Sequence, residues 1–202
     1  MKPLAQCRLY TFIDTEFLHG RDPVSVAREL CAGGSDLIQL RAKKSTPQEI
    51  LRMAAEILPV IRHAGVGLVI NDHPDIVAQI RADYCHLGQE DFAAGTPPTT
   101  PFGLSTHSLS QALLARKAQP AYIAVGPVYA TPTKPTARPV TLDYVRWAAA
   151  NVKIPWFAIG GINLNNLDEV ISAGAERICA VSAILNAPDI AEACRQFRKR
   201  LP

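Results

Sequence analysis

Residues 35 to 72 read SDLIQLRAKKSTPQEILRMAAEILPVIRHAGVGLVIND, and this stretch decides the architecture. The apolar run Leu37–Leu40 is followed by Thr46-Pro47, with Glu49 three residues beyond the threonine. A threonine side chain can take a free N–H of the first helical turn while the glutamate reaches back to it, and proline suits the first helical position, so a helix starts here. From Ile50 to Ile61 the apolar residues, Leu51, Ala54, Ala55 and Leu58 among them, recur at spacings of three and four. A second apolar run, Gly67–Ile70, closes the segment. The unit is strand, helix, strand.

The same rhythm continues in both directions. Candidate strands recur at Leu9–Ile13, Leu37–Leu40, Gly67–Ile70, Tyr84–Leu87, Phe102–Leu104, Tyr122–Val125, Trp156–Ile159 and Ile178–Val181. Eight units in 202 residues leave about 25 residues each, enough for a strand, a short helix and two loops. Further helical patterns run from Val24 to Cys31, Leu109 to Ala115, Leu142 to Ala149 and Ile190 to Phe197, with start signals at Asp22-Pro23, Ser108 with Gln111, and Pro188-Asp189. The expected fold is α/β, a single (β/α)8 TIM barrel occupying residues 1–202. An open doubly wound sheet would be expected to carry a glycine-rich nucleotide loop after its first strand, and Asp14-Thr15-Glu16-Phe17 has no glycine. Gly95 to Pro101 reads as a loop replacing most of the fourth helix, and Pro132 to Pro139 as an active-site loop.

Composition narrows the class. Apolar residues make up 48% and charged residues 19%, which excludes disorder and collagen, and the net charge of +3 gives no basis for polyanion binding. No stretch approaches the roughly 18 apolar residues of a membrane helix, and Gln6 and Arg8 break any signal-peptide core in MKPLAQCRLY. Cys7, Cys31, Cys85, Cys179 and Cys194 are odd in number and form no C-x-x-C pair, so neither a zinc site nor a disulfide framework is expected. We expect a soluble, cytoplasmic protein with no nucleic-acid and no membrane partner; homo-oligomerisation stays open.

In such a barrel the chemistry sits at the C-terminal ends of the strands. Alternation after the second strand puts Gln39, Arg41 and Lys43 on one face toward the mouth, and Ile38 and Leu40 on the other. Neighbouring cations near a barrel mouth call for an anion or carboxylates. Asn71-Asp72 follows the third strand and Gly88-Gln89-Glu90-Asp91 the fourth, so that two carboxylates beside an amide can hold a hard Mg²⁺ whose octahedron phosphate oxygens complete. Helix capping is the competing role for Asp72, because His73-Pro74-Asp75 looks like a first turn. Ser105-Thr106-His107-Ser108 lacks a nucleophile elbow, which makes Ser105 a hydrogen-bonding group rather than a nucleophile. His19, His63, His73, His86 and His107 read as packed or surface residues without a defined partner. Thr131, Pro132, Thr133 and Lys134 lie on a proline-stiffened loop suited to anion capture, with a surface P-x-x-P segment, Pro132 to Pro135, as the plainer reading. Ile159-Gly160-Gly161-Ile162 and Val181-Ser182-Ala183 end strands seven and eight, the habitual monophosphate site of these barrels. The mouth thus has a diphosphate region and a monophosphate region.

These blocks, in this order, resemble those of the thiamine phosphate synthase family. Its Q-x-R-x-K, N-D, G-Q-x-D, G-x-S, G-P-x-x-x-T-x-T-K, I-G-G-I and V-S-A-I motifs are met by Gln39 to Lys43, Asn71-Asp72, Gly88 to Asp91, Gly103 to Ser105, Gly126 to Lys134, Ile159 to Ile162 and Val181 to Ile184. The resemblance spans nearly the whole chain. It departs from the family at Ala42, where an acidic residue is frequent, at His73-Pro74, where arginine is common, at Ala121, where aspartate is usual, and at Val140-Thr141, which lacks a familiar glycine.

The resemblance implies two small phosphorylated substrates: hydroxymethylpyrimidine diphosphate joined to a thiazole phosphate, with loss of diphosphate. It implies that Gln39, Leu40, Arg41, Ala42, Lys43, Asn71, Ser105 and Lys134 bind the pyrimidine diphosphate, with Arg41, Lys43, Ser105 and Lys134 as the catalytic set. Thr131, Pro132, Thr133, Gly161, Val181 and Ser182 would bind the thiazole phosphate, and Asp72 and Asp91 would hold Mg²⁺. A thiazole tautomerase, which shares the fold and the phosphate end, and a catalytically silent precursor-binding barrel stand as alternatives.

Overall fold

Four helix starts are fixed by side-chain caps. Asp22 accepts from Ser25 N at 2.8 Å, Thr46 and Glu49 exchange bonds in a capping box, Ser108 accepts from Gln111 N at 3.2 Å, and Asp189 accepts from Glu192 N at 2.8 Å. These open α1 (Pro23–Ala32), α2 (Pro47–His63), α5 (Leu109–Ala118) and α9 (Ile190–Arg200). The remaining helices are α3 (Pro74–Ile80), α4 (Gln89–Ala93), α6 (Thr141–Asn151), α7 (Leu167–Ser172) and α8 (Ser182–Leu185). The computed structural model describes residues 1–93, 98–133 and 137–202. Among them no helix is long and apolar enough to cross a membrane.

The strands are β1 (Leu9–Asp14), β2 (Leu37–Arg41), β3 (Gly67–Asn71), β4 (Tyr84–Leu87), β5 (Phe102–Thr106), β6 (Tyr122–Val125), β7 (Trp156–Ala158) and β8 (Ile178–Cys179). All pair in parallel with their sequence neighbours, and β8 returns to β1 through Leu9↔Ile178 and Tyr10↔Cys179, closing the barrel. The expected (β/α)8 TIM barrel is therefore the observed fold. β3 and β5 run further than the sequence rhythm marks, so Asn71 and Ser105 lie on strands rather than in the loops beyond them. β7 and β8 stop earlier, leaving Ile159 and Val181 in the rim loops. The fourth helix is reduced to the five residues of α4, in line with the loop expected there; Gly95, Thr96 and Pro97 of that loop lie outside the described residues.

Aromatic rings fill the barrel. Tyr10 stacks on Phe12 with centroids 5.2 Å apart and meets the rings of Phe157 and Tyr122 edge-on at 5.3 and 5.8 Å. Gly103 makes room for this cluster: a Cβ there would lie 2.0 Å from Tyr122 Cζ. Tyr10 and Phe12 of this cluster also border the cavity that opens at the C-terminal mouth.

Candidate active site

One cavity opens at the C-terminal rim. Arg41, Lys43, Asn71, Asp72, Asp91 and Ser105 line one side of it, and Thr131, Thr133, Gly161, Val181 and Ser182 the other. Gln39 lies deeper on the same wall. These are the ends of β2 to β8, so parallel closure alone brings together residues spread along the chain. Leu40 and Ala42 are buried away from the cavity, as period-two alternation along β2 requires, and Pro132 is exposed beside it. Lys134 and Pro135 lie outside the described residues.

The basic side is built on carboxylates. Asp14, with no exposed surface at the end of β1, accepts from Arg41 Nη1 at 2.8 Å, and Glu16 stands 3.7 Å from the same nitrogen while pairing with Lys44 at 2.8 Å. The Lys44 ammonium, more than Arg41, holds the Glu16 carboxyl below its usual range. Guanidinium carries five donors in a rigid fork, so one bond to Asp14 aims the group and leaves others for a ligand. Lys43 Nζ pairs with Asp72 Oδ2, which also accepts from Asn71 Nδ2 at 2.5 Å. Asp72 does not cap α3: the cap position is His73, and the Asp72 backbone turns at φ 61° with its N–H donating to His86 O at 2.9 Å. That turn carries its carboxylate into the cavity instead.

The deep wall is a hydrogen-bonded chain. Gln39 Nε2 donates to Tyr10 Oη at 2.5 Å, the Tyr10 and Tyr122 hydroxyls meet at 2.9 Å, His86 Nδ1 lies 3.0 Å from Tyr122 Oη, and His86 Nε2 lies 3.0 Å from Ser105 Oγ. Gln89 Nε2 donates to Ser105 O at 2.6 Å. Burial drives both phenols well above the ordinary tyrosine value, so they act as neutral hydroxyls that pass hydrogen bonds on. His86, expected to lack a defined partner, is the link between Tyr122 and Ser105. His107 likewise has one: its Nδ1 lies 2.5 Å from Gly126 O, and the ring borders the cavity.

At the opposite wall the loops after β6 and β7 clasp each other, Val128 N donating to Ile159 O at 2.8 Å and Tyr129 N to Gly160 O at 3.0 Å. A side chain at Gly161 would put Cβ 2.6 Å from Ala130 O, and its φ of 65° suits glycine. Asn166 Nδ2 donates to Gly161 O at 3.0 Å and holds that carbonyl. Thr131 and Thr133 bring two hydroxyls into the same corner, with Thr131 Oγ1 3.4 Å from Thr133 Oγ1. Glycine backbone beside hydroxyls and a short helix start at Ser182 is a setting for a phosphate monoester.

Asp72 and Asp91 are the two carboxylates of the cavity that could hold a divalent ion. Asp91 folds over the strand end so that a Cβ on Gly88 would meet its Oδ2 at 2.9 Å. Among the described residues no cluster of three His, Cys, Asp or Glu side chains forms. Two carboxylates with water and phosphate oxygens suit Mg²⁺, which keeps much of its hydration, better than an ion that needs a full protein cage.

Residues 9–184 match the family model described as Thiamine monophosphate synthase. A Thermus thermophilus thiamine-phosphate synthase is 46% identical over 179 residues, covering 84% of each chain, and one from Acidothermus cellulolyticus is 44% identical over 206 residues, covering 98% of this chain and 96% of its own. A solved thiamine phosphate pyrophosphorylase from Pyrococcus furiosus superposes with a TM-score of 0.88 at 31% identity, covering 98% of this chain and 96% of that one.

Proposed function

The chain belongs to the thiamine monophosphate synthase family, and from that premise we propose that its rim cavity joins hydroxymethylpyrimidine diphosphate to a thiazole phosphate, giving thiamine phosphate and diphosphate. The observation that carries this reading is the division of one cavity into a wall of cations and carboxylates and a wall of glycine backbone and hydroxyls. The first suits a diphosphate and the second a monophosphate.

In the reaction the carbon–oxygen bond between the pyrimidine's methylene carbon and diphosphate breaks, its electron pair leaving with the diphosphate, and the lone pair of the thiazole nitrogen then forms the new bond to that carbon. The carbon carries positive charge in between, stabilised by the aminopyrimidine ring. No side-chain nucleophile is needed; the barrier falls through neutralising the leaving group and holding the nitrogen in line. Arg41, aimed by Asp14, and Lys43 meet the diphosphate oxygens, and Asn71 donates to them. Lys134 joins this group by its place in the family's T-x-T-K motif. Mg²⁺ held by Asp72 and Asp91 would supply further neutralisation of the departing diphosphate. Gln39 and Ser105, the two ends of the buried chain, present an amide and a hydroxyl to the pyrimidine ring. Thr131, Thr133, Gly161, Val181 and Ser182 hold the thiazole phosphate.

We place the reaction in the cytoplasm, a reading supported by five free cysteines, four of them buried. The deciding experiment incubates the protein with both substrates, with and without Mg²⁺, and follows thiamine phosphate. Metal-dependent product is expected. Isomerised thiazole alone would make the protein a tautomerase, and binding without turnover would make it a silent barrel.

A further inference from the structure

Oδ2 of Asp72 is approached from two sides, by the Lys43 ammonium and by the Asn71 amide. The partners differ in freedom. Asp72 is anchored by its backbone bond to His86 O, and its side chain is 15% exposed; Lys43 reaches in on a flexible stem and is 44% exposed. A divalent ion on either oxygen of this carboxylate would sit within a few ångströms of the ammonium. Repulsion between the two cations forces the mobile one to leave.

We propose that Lys43 is a partner-exchanging residue: its ammonium guards the Asp72 carboxylate, and arrival of the divalent ion releases it to the diphosphate. The inference rests on the functional reading above and concerns the order and coupling of binding rather than the identity of the ligands. Metal alone takes Asp72 but leaves the displaced Lys43 ammonium without a partner beside it. Diphosphate alone must draw Lys43 away and leave two carboxylates facing an anion. Only when both bind are Asp72, Lys43 and the diphosphate all paired. Since coupling between two ligands is reciprocal, each raises the other's affinity by the same factor.

The test is direct binding of Mn²⁺, followed by the electron paramagnetic resonance of the free ion, to the whole protein with and without inorganic diphosphate. Lys43→Met is expected to bind Mn²⁺ alone about three- to tenfold more tightly than the unaltered protein, the scale of a half-exposed ion pair plus relieved repulsion. It should also lose most of the gain in Mn²⁺ affinity that diphosphate confers. Lys43→Gln, a second neutral variant, should behave alike if the methionine variant folds poorly. Asp72→Asn should lose Mn²⁺ in every background. Neutral variants that bind Mn²⁺ no more tightly, with Asp72→Asn still deficient, would overturn the exchange alone. Unchanged Mn²⁺ binding by Asp72→Asn would overturn the metal assignment and the exchange with it.

Discussion

Asp14 Oδ2, with no exposed surface at the end of β1, accepts a hydrogen bond from Arg41 Nη1 at 2.8 Å. The register Asp14↔Arg41 makes the two residues direct neighbours across β1 and β2, and Glu16 N donates to the other oxygen, Oδ1, at 3.1 Å. Both oxygens are thus acceptors, which an amide cannot reproduce: Asp14→Asn turns an N–H₂ toward either Arg41 or the Glu16 N–H. We expect this variant to fold and to lose about 10- to 100-fold in kcat/KM, about 1.4–2.8 kcal/mol of transition-state stabilisation. The loss should fall on the pyrimidine diphosphate, with the KM for the thiazole phosphate little changed. Steady-state kinetics with each substrate varied in turn checks the division; an equal rise in both KM values would mean general damage.

The chain from Gln39 through Tyr10, Tyr122 and His86 to Ser105 makes a second prediction. Tyr122 does not border the cavity but joins both ends of the chain, so Tyr122→Phe keeps the ring packing and removes the one hydroxyl on which Tyr10 and His86 converge. Losing a buried hydrogen-bond partner costs about 1–3 kcal/mol, which denaturant unfolding will read. Looser Gln39 and Ser105 should raise the KM for the pyrimidine substrate more than that for the thiazole phosphate. Equal kinetic constants to the unaltered protein would show that the chain serves packing only.

The strand-end rule finds most of the cavity in the sequence because barrel closure needs no more than strand order: Arg41, Asn71, Asp72, Ser105 and Gly161 all lie at or close to the C-terminal end of a strand. It does not find Asp14, whose importance depends on the β1–β2 register, although the same rule applied to Ile13-Asp14 would have marked it. In the sequence Tyr10 and Tyr122 are only members of candidate strands and His86 a packed or surface histidine; all three are buried, and they become a polar chain only when β1, β4 and β6 meet inside the barrel. Of the shorter helices, α3 escapes the periodic patterns because seven residues hold too few turns to show one, whereas α2, with seventeen, is plain.

Asp36 sits at the opposite, N-terminal end of the barrel, nearly buried. It accepts from Lys2 Nζ at 2.8 Å, Arg198 Nη1 at 2.8 Å, Arg8 N at 2.7 Å and Leu9 N at 3.1 Å, tying the chain start and α9 to the foot of β1 and β2. Burial by itself would raise its pKa, but the Lys2 bond, the two backbone N–H groups and the Arg198 charge together bring it below the usual carboxylate value. A lowered folded pKa means that the stabilisation is complete above the unfolded value of about 3.9 and is lost as pH falls through the folded one. Taking the charge away from Lys2, Arg198 and the two backbone N–H groups, Asp36→Asn should cost about 3 kcal/mol at pH 7, and by removing the titrating carboxyl it should flatten the fall in stability at acid pH. Turnover per folded molecule at pH 7 should not change, because the site lies at the other rim. Thermal unfolding across pH 3 to 7 tests this, and parallel curves for the two proteins would remove Asp36 as the acid-sensitive group.

Thr141 opens α6 at φ 61°, at the Val140-Thr141 position where the family resemblance leads one to expect glycine. Left-handed backbone crowds Cβ against the following carbonyl and costs an L-residue about 1–2 kcal/mol, and a β-branched side chain fits it worst. Glycine removes that cost and adds about 0.5–1 kcal/mol of its own through the freedom it gives the unfolded chain. The Thr141 hydroxyl returns little, since its bond from Asp143 N is 3.4 Å long. Relief therefore wins by a small margin, and Thr141→Gly should raise unfolding stability by up to about 1 kcal/mol, or about 2–4 °C in Tm for a chain of this length. Thr141→Val keeps the branch and forfeits the hydroxyl, so it should not share the gain. Calorimetry on both variants decides the matter: a lower Tm for the glycine variant would mean that the turn is held without strain.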